Sequence, residues 1–444
     1  MKITFYGGIS QVTGSNFLCE TQNKKILIEC GMIQGTSDIE MHNAIAFAYD
    51  PKSIDALLIT HAHLDHIGRI PKLIKDGFAG PIYSTLPTKQ LAQEILADTV
   101  RLMERDTDNT ALYDKTHVEK TCALWETISY HEPFSIGGAT IEYFDAGHIL
   151  GSAFIKVEEN GISVVFSGDL GNSPNVLLRD LEALPDVHYL VTESTYGNRN
   201  HDRSRSRRNL LEDIIEDTIA QKKTLLIPAF AVERTQEIMF DIQDLIEQSK
   251  VPLVPLFLDS PLANRVTDIY EQHTDYFNAH AKDNLLYKHV FSCPNMHHVY
   301  SMEDEKKLFD TAEPKIIIAG SGMITGGRIM NILKKIGSDP KTTLLFVGYQ
   351  SPETPGRKIM DGAKEIMLDD ELIKIAGNVE QILSYSGHID QQELLDWITP
   401  RKSSLKNIFI VHGDTDAKIA LHTKITEDLK TPAIIPEENQ AVEL

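Results

Sequence analysis

The sequence predicts an α/β protein in which one α/β unit is inserted into another. Three observations carry this. Residues 1–192 read largely as short strands separated by turns. From about residue 205 to residue 347, apolar strand-like runs alternate with helical periodicity, the pattern of a parallel α/β unit. After about residue 375 the texture of the first region returns. The expected domains are therefore 1–205 and 376–444 as two parts of an outer domain, with 206–375 as the insertion.

In order, Lys2–Tyr6, Asn16–Glu20, Lys25–Glu29 and Ala56–Thr60 read as strands. Helical periodicity covers Leu91–Glu104 and Thr116–Trp125. Strands return at Thr140–Phe144, Ala153–Glu158, Ser163–Ser167 and Tyr189–Thr192, with Asn160-Gly161 as a hairpin turn signal. The insertion reads as helix Arg207–Lys222, strand Thr224–Ile227, helix Val232–Gln248, strand Leu253–Leu258 and helix Leu262–Glu271. Strand Lys315–Ala319, helix Arg328–Ile336 and strand Thr343–Val347 follow. Strand Glu371–Ala376, helix Gln391–Trp397, strand Asn407–Val411 and helix Ala417–Leu429 complete the pattern.

With 444 residues, 42% of them hydrophobic, the chain can build two or three sizeable cores. Cys19, Cys30, Cys122 and Cys293 form no CxxC pair and read as scattered thiols of a reducing compartment. The amino terminus is too short and polar for a signal peptide, and no apolar run approaches a membrane span, so a cytoplasmic protein with no membrane partner is expected. The net charge of −21 argues against a general nucleic-acid coat protein but leaves room for a locally positive site.

One stretch speaks directly to chemistry. His61-Ala62-His63-Leu64-Asp65-His66 follows an apolar strand and precedes a helix start. Extended residues two apart share a face, so His61 and His63 can reach one cation together. Asp65 and His66, where the chain turns into a helix, can aim at a point a few ångströms away. That suits two adjacent metals, which clamp a phosphoryl group about 3.5–4 Å apart. Imidazole and carboxylate without cysteine favour zinc, with manganese or iron as alternatives.

Other candidates sit near strand ends. His148 has small neighbours in Asp145-Ala146-Gly147-His148, and Asp169 follows a strand and Ser167-Gly168. Glu193, His388 and His412 each lie near a strand end or strand–helix junction, the place where α/β sites form. The run Gly320-Ser321-Gly322-Met323-Ile324-Thr325-Gly326-Gly327-Arg328 follows a strand and opens a helix. It reads either as an anion cradle or as a plain turn, and it is not a Walker loop. Arg199, Arg203, Arg205, Arg207 and Arg208 read either as a phosphate-binding patch or as a solvated linker face.

Over essentially its whole length the chain resembles the β-CASP branch of the metallo-β-lactamase superfamily. HAHLDH is similar to the superfamily's metal signature, and His148 and Asp169 match its third and fourth motifs. Glu193, His388 and His412 match the three motifs that define the branch, and the words ESTYG, GSGMITGGR, SGHID and VHGD are also similar. The resemblance implies an αββα sandwich carrying an inserted parallel α/β β-CASP domain that covers the cleft. It implies two Zn2+, with Mn2+ as the alternative. One metal would be held by His61, His63 and His148, the other by Asp65, His66 and His388, with Asp169 bridging. His412 would contact the scissile phosphate or protonate the leaving oxygen, oriented by Glu193, and Ser321, Gly322, Arg328 and Ser386 would bind substrate.

The expected activity is that of a ribonuclease, endo- or exonucleolytic, working through a metal-bridging hydroxide. A histidine at the position of His412 is associated with RNA-directed members of the family, and valine with DNA-directed ones. The alternatives are a DNA nuclease of the same superfamily, or a small-molecule hydrolase acting on thioesters, lactones or cyclic phosphodiesters. Expected partners are RNA, a second copy of the chain, and a protein that delivers substrate to so acidic a molecule. The family's first motif usually has aspartate where this chain has Glu29, one methylene longer, in support of a metal ligand. The chain ends soon after His412, so the extensions of ribonuclease J have no expected counterpart.

Overall fold

The computed structural model describes residues 1–35, 39–105, 111–201, 206–285, 291 and 295–444. The chain forms two compact units, residues 1–200 with 388–444, and residues 201–387.

The first unit contains two seven-stranded sheets. In the first, strands Lys2–Gly7, Asn16–Glu20 and Lys25–Ile28 form an antiparallel meander, to which Ala56–Leu58, Ile82–Ser84 and Trp125–Thr127 add in parallel at one edge and Ala441–Glu443 antiparallel at the other. The second is built from Phe134–Ile136, Ala139–Asp145, Ala153–Glu159, Ile162–Phe166, Tyr189–Thr192, Asn407–Ile410 and Ala433–Ile434. Because side chains alternate along a strand, Ile155 and Val157 join Ile3, Phe5, Phe17, Ile26 and Ile28 in a core between the sheets. Phe154 points the other way, with Val165, Leu190, Ile408 and Ile410, into a second core. That core is closed by Leu394, Leu395, Trp397 and Ile398 of helix Gln391–Ile398 and by Leu421 of helix Thr415–Lys424.

Three neighbouring strands set up the site. Tyr189–Thr192 runs parallel to both Ile162–Phe166 and Asn407–Ile410, so all three end at one edge of the sheet. Just beyond those ends lie Asp169, Glu193 and His412.

The second unit has one six-stranded, all-parallel sheet. Its spatial order is Met296–His298, Leu256–Asp259, Lys315–Ala319, Thr224–Pro228, Thr342–Phe346 and Asn378–Gln381. The central strands are buried throughout, as parallel strands covered on both faces must be. The expected strand Glu371–Ala376 is instead one arm, Glu371–Lys374, of a hairpin with Glu365–Leu368.

Other expected elements shift where side chains intervene. The strand expected over Ala56–Thr60 stops at Leu58, and the Thr60 N–H donates to Glu29 Oε1 at 2.7 Å. The helix expected over Thr116–Trp125 is Lys115–Ala123; Trp125 begins a strand and its Nε1 donates to Ser84 Oγ at 2.8 Å. The helix expected from Val232 begins at Arg234, because Glu233 adopts a positive φ of 67°. Of the cysteines, Cys19 and Cys30 are buried, Cys122 is only partly so, and Cys293 lies outside the described residues.

Candidate metal centre

His61 and His63 flank the strand-to-helix turn as their spacing requires. His63 is extended, with ψ of 146°, and helix Leu64–Ile67 begins immediately after it, carrying Asp65 and His66. His61 Nε2 and His148 Nε2 each lie 3.1 Å from His63 Nδ1. Asp169 Oδ2 completes this group, 3.4 Å from His61 Nε2 and 3.6 Å from His148 Nε2.

The other oxygen of the same carboxylate serves a second group. Asp169 Oδ1 is 3.3 Å from His66 Nε2 and 3.3 Å from His412 Nε2. Asp65 Oδ2 lies 3.7 Å from His66 Nε2 and 3.8 Å from His412 Nε2. One carboxylate thus faces two donor clusters, one oxygen to each.

The outward nitrogens of two of these rings are hydrogen-bonded: Thr60 Oγ1 lies 2.9 Å from His61 Nδ1 and Ser15 Oγ 2.8 Å from His412 Nδ1. Such contacts select the tautomer that turns the other nitrogen inward. Glu29 Oε2 lies 2.9 Å from His66 Nδ1, close but without hydrogen-bond geometry. Glu29 has a backbone φ of 63°, and its second oxygen accepts the Thr60 N–H.

These donors fit divalent cations. All are imidazoles or carboxylates, and among the described residues they fall into compact groups with donor atoms within 4.8 Å of one another. His66 Nε2 and Asp169 Oδ1 are buried and make no hydrogen bond. Buried polar atoms without partners are rare in proteins, and a cation between them would satisfy both.

The structure exchanges the expected partners of the last two histidines. His412, not His388, clusters with Asp65 and His66; His388, not His412, meets Glu193, with Nδ1 3.1 Å from Oε2. The cause is backbone placement. His412 lies just past strand Asn407–Ile410 with φ of 47°, its N–H bonded to Gly8 O and its ring to Ser15, which drives the side chain inward. His388 sits on a loop that bridges Gly171, and it remains 18% exposed. Glu193 Oε1 also accepts the Leu170 N–H at 2.6 Å.

Comparison with known proteins now decides the family. Residues 18–192 match the metallo-beta-lactamase superfamily domain, 235–359 the Beta-Casp domain, and 372–436 the Zn-dependent metallo-hydrolase RNA specificity domain. A ribonuclease of Thermus thermophilus is 35% identical over 95% of this chain and 95% of its own. An RNase J-like protein of Methanocaldococcus jannaschii is 33% identical, covering 98% and 97%. This chain belongs to the β-CASP branch of the metallo-β-lactamase superfamily. The transcription termination factor FttA of Methanosarcina mazei is a longer relative, 32% identical over 97% of this chain and 69% of its own. A metal-dependent hydrolase follows, built as a metallo-β-lactamase domain with an inserted β-CASP domain. No helix among the described residues is long and apolar enough to cross a membrane.

Within this β-CASP site the two exchanged histidines differ in charge. Burial lowers the pKa of His388, but Glu193 and then Asp169 outweigh it and raise the ring to about 9, so it carries a proton at neutral pH. Burial dominates at His412 and pushes it down to about 3. Burial likewise holds His63 and His148 well below the usual imidazole range. Burial opposes ionisation of Asp169, yet the histidines around it hold its carboxyl well below the usual carboxylate range. Neutral imidazole and ionised carboxylate are the forms that bind metal.

The expected substrate-binding residues all lie in the second unit. Ser321 and Gly322 belong to the loop that opens helix Arg328–Ile336. Three N–H groups of that loop are engaged within it: Ser321 N to Gly326 O, Ile324 N to Ser321 O and Thr325 N to Ser321 Oγ. Arg328 Nε lies 3.7 Å from the buried Asp259 Oδ1, and Ser386 is buried. Among the described residues, the arginines of this run each have a partner of their own. Arg207 and Arg208 are paired with Asp241 and Asp244, Arg199 covers the Tyr196 ring at 4.6 Å, and Arg203 and Arg205 lie outside the described residues.

Proposed function

We propose that this β-CASP protein is a ribonuclease that hydrolyses RNA phosphodiester bonds with two divalent cations, zinc in preference to manganese. The observation that carries the reading is the sharing of Asp169 between two donor clusters, with the hydrogen-bonded Glu193–His388 pair beside them. His61, His63, His148 and Asp169 would hold one cation; Asp65, His66, His412 and Asp169 the other. When bound, such a pair lowers the pKa of water and neutralises charge developing on a phosphoryl group.

The chain's own residues supply the rest. Glu193 takes the Nδ1 proton side of His388 and keeps the ring charged. His388 then gives a proton to the leaving oxygen, a contribution of about 10²–10⁴ in rate for a well-placed acid. Asp65, at 15% exposure, and His388 form the more open side of the cluster, where substrate reaches it. In the second unit, Ser321, Gly322, Arg328 and Ser386 are proposed RNA contacts. Arg328, the one charged residue of these four, is 32% exposed. RNA rather than DNA is supported by the match to an RNA specificity domain and by the ribonucleases among the relatives.

The decisive experiment compares His412→Ala with His388→Ala for bound metal and for cleavage of labelled RNA, with DNA and bis-p-nitrophenyl phosphate alongside. His412→Ala should lose about one metal equivalent, while His388→Ala should keep both and lose turnover. Cleavage of the small phosphodiester with no action on RNA would overturn the ribonuclease reading. Loss of metal from His388→Ala alone would overturn the assignment of the two histidines.

A further inference from the structure

One stretch of chain, just after Asp169, links the loop that carries His388 to the turn that carries His148. After Asp169, the Leu170 N–H donates to Glu193 Oε1 at 2.6 Å, and Leu170 O accepts the Ile389 N–H at 2.9 Å. Gly171 bridges His388 and donates its N–H to Ala146 O at 2.8 Å. The approach is so close that a Cβ on Gly171 would lie 1.9 Å from Gly147 O. Further along, Asn175 Nδ2 donates to that same Gly147 O at 3.0 Å, and Asn175 Oδ1 accepts the N–H groups of Leu177 and Leu178.

The segment then returns to the His148 turn from the other side. Asp145 Oδ1 accepts the Gly147 N–H at 3.0 Å. Its Oδ2 meets Arg179 Nε at 3.1 Å and Nη2 at 3.0 Å. Gly147 has φ of 63°, and a Cβ there would come within 2.7 Å of Leu181 N. Ser152 Oγ holds the next two N–H groups, of His148 and Ile149. Gly147, the residue preceding His148, is therefore gripped at its N–H by Asp145 and at its carbonyl by Asn175.

We propose that Arg179 is a positioning residue for His148, acting through Asp145, and that the segment Leu170–Asp180 is a strap that sets His148 and His388 in register. Arg179 sits on the outer side, its side chain 44% exposed, and the Asp145 side chain is 8% exposed. An exposed ion pair by itself stabilises a fold very little. Here one partner is buried and fixes the backbone turn of a donor histidine, so its loss is transmitted to the donor. The Arg fork also matters, because two of its nitrogens converge on one carboxylate oxygen and a lysine offers a single point charge.

The proposal rests on the reading of His148 as a metal donor, and the test separates the two. Purified Arg179→Ala, Arg179→Lys, Asp145→Asn and the double variant Arg179→Ala/Asp145→Asn are compared with wild type by zinc competition against a chromophoric chelator. Arg357→Ala serves as a control, since it removes an equally exposed arginine whose partner, Asp361, is 60% exposed and supports no donor histidine. Arg179→Ala should weaken one of two zinc affinities by about tenfold, the lower end for loss of a residue supporting a metal ligand. Arg179→Lys should restore part of this, the double variant should be no worse than the worse single one, and Arg357→Ala should match wild type. The metal-free unfolding temperature of Arg179→Ala should stay with that of the control. Wild-type zinc affinity in Arg179→Ala, when His148→Ala has lost one equivalent, would overturn the strap alone. Additive losses in the double variant, or an equal loss in Arg357→Ala, would do the same. Two full equivalents retained by His148→Ala would overturn the metal reading and the strap with it.

Discussion

Both units of this chain bring charged and polar residues to strand ends and helix starts, yet they use them differently. In the first unit, His61 and His412 have their outer nitrogens braced by Thr60 and Ser15, that of His66 lies close to Glu29, and the inner nitrogens of all three converge on Asp169. In the second, the buried charges are matched to one another. Arg234 pairs with Glu237, Tyr385 donates to Asp241 at 2.6 Å, Tyr270 donates to Glu233, and Arg207 approaches Asp241 and Glu237. A cluster of titratable groups becomes a metal centre when donors of like kind face one point and lack partners there. When acids and bases alternate, the same density of charge makes a structural network.

The contrast can be broken by substitution. The largest effect belongs to Asp169→Ala, which removes the carboxylate facing both donor groups. It should abolish binding of both cations and RNA cleavage, measured by elemental analysis and by assay; one tightly held cation would show that the two groups are independent. Next comes His388→Ala, which should retain metal and lower kcat by about two orders of magnitude or more, with KM much less affected.

In the second unit, Asp241→Ala strips a carboxylate from a buried pair and should cost about 3 kcal/mol in denaturant unfolding, with metal content unchanged. Loss of metal in that variant would mean that the two networks are coupled. The pH dependence has a defined sign. Burial raises the Asp241 pKa from 3.8 to about 6 against the pull of Arg207. A carboxyl group whose folded pKa is raised contributes stability that is full below its ordinary pKa and is lost as pH rises through the folded value. Metal-free protein should therefore lose this contribution between about pH 4 and 6, and Asp241→Asn should flatten that part of the profile. The smallest effect is expected at Arg328→Ala, with KM for RNA raised a few-fold and metal content unchanged. An unchanged KM would leave Arg328 as no more than the partner of Asp259.

Much of the centre was readable before any fold was known. The spacing of His61 and His63 required a shared face, and the turn into a helix at Leu64 required Asp65 and His66 to point to a neighbouring position. The roles of His388 and His412 were not readable in that way. Each is a single histidine near a strand end, and nothing in either local word says which ring goes inward. The deciding contacts come from far along the chain: Ser15 to His412, and Gly171 and Glu193 to His388. The glycine-rich loop had two readings for the same reason, since which of its N–H groups bond within the loop depends on its closed conformation.

By itself the sequence determined the donor types, the strand-to-helix placement of HAHLDH, the alternation that sends Phe154 and Ile155 to opposite faces of their strand, and the family. These follow from local periodicity and side-chain chemistry, which neighbours in the chain dictate. Tertiary structure alone decided which histidine joined the second donor group and which met Glu193. It also decided which arginines were already paired and which backbone turn held His148. Those outcomes depend on contacts between residues tens to hundreds of positions apart, where burial sets whether a ring stays neutral, as at His412, or is held charged by a carboxylate, as at His388.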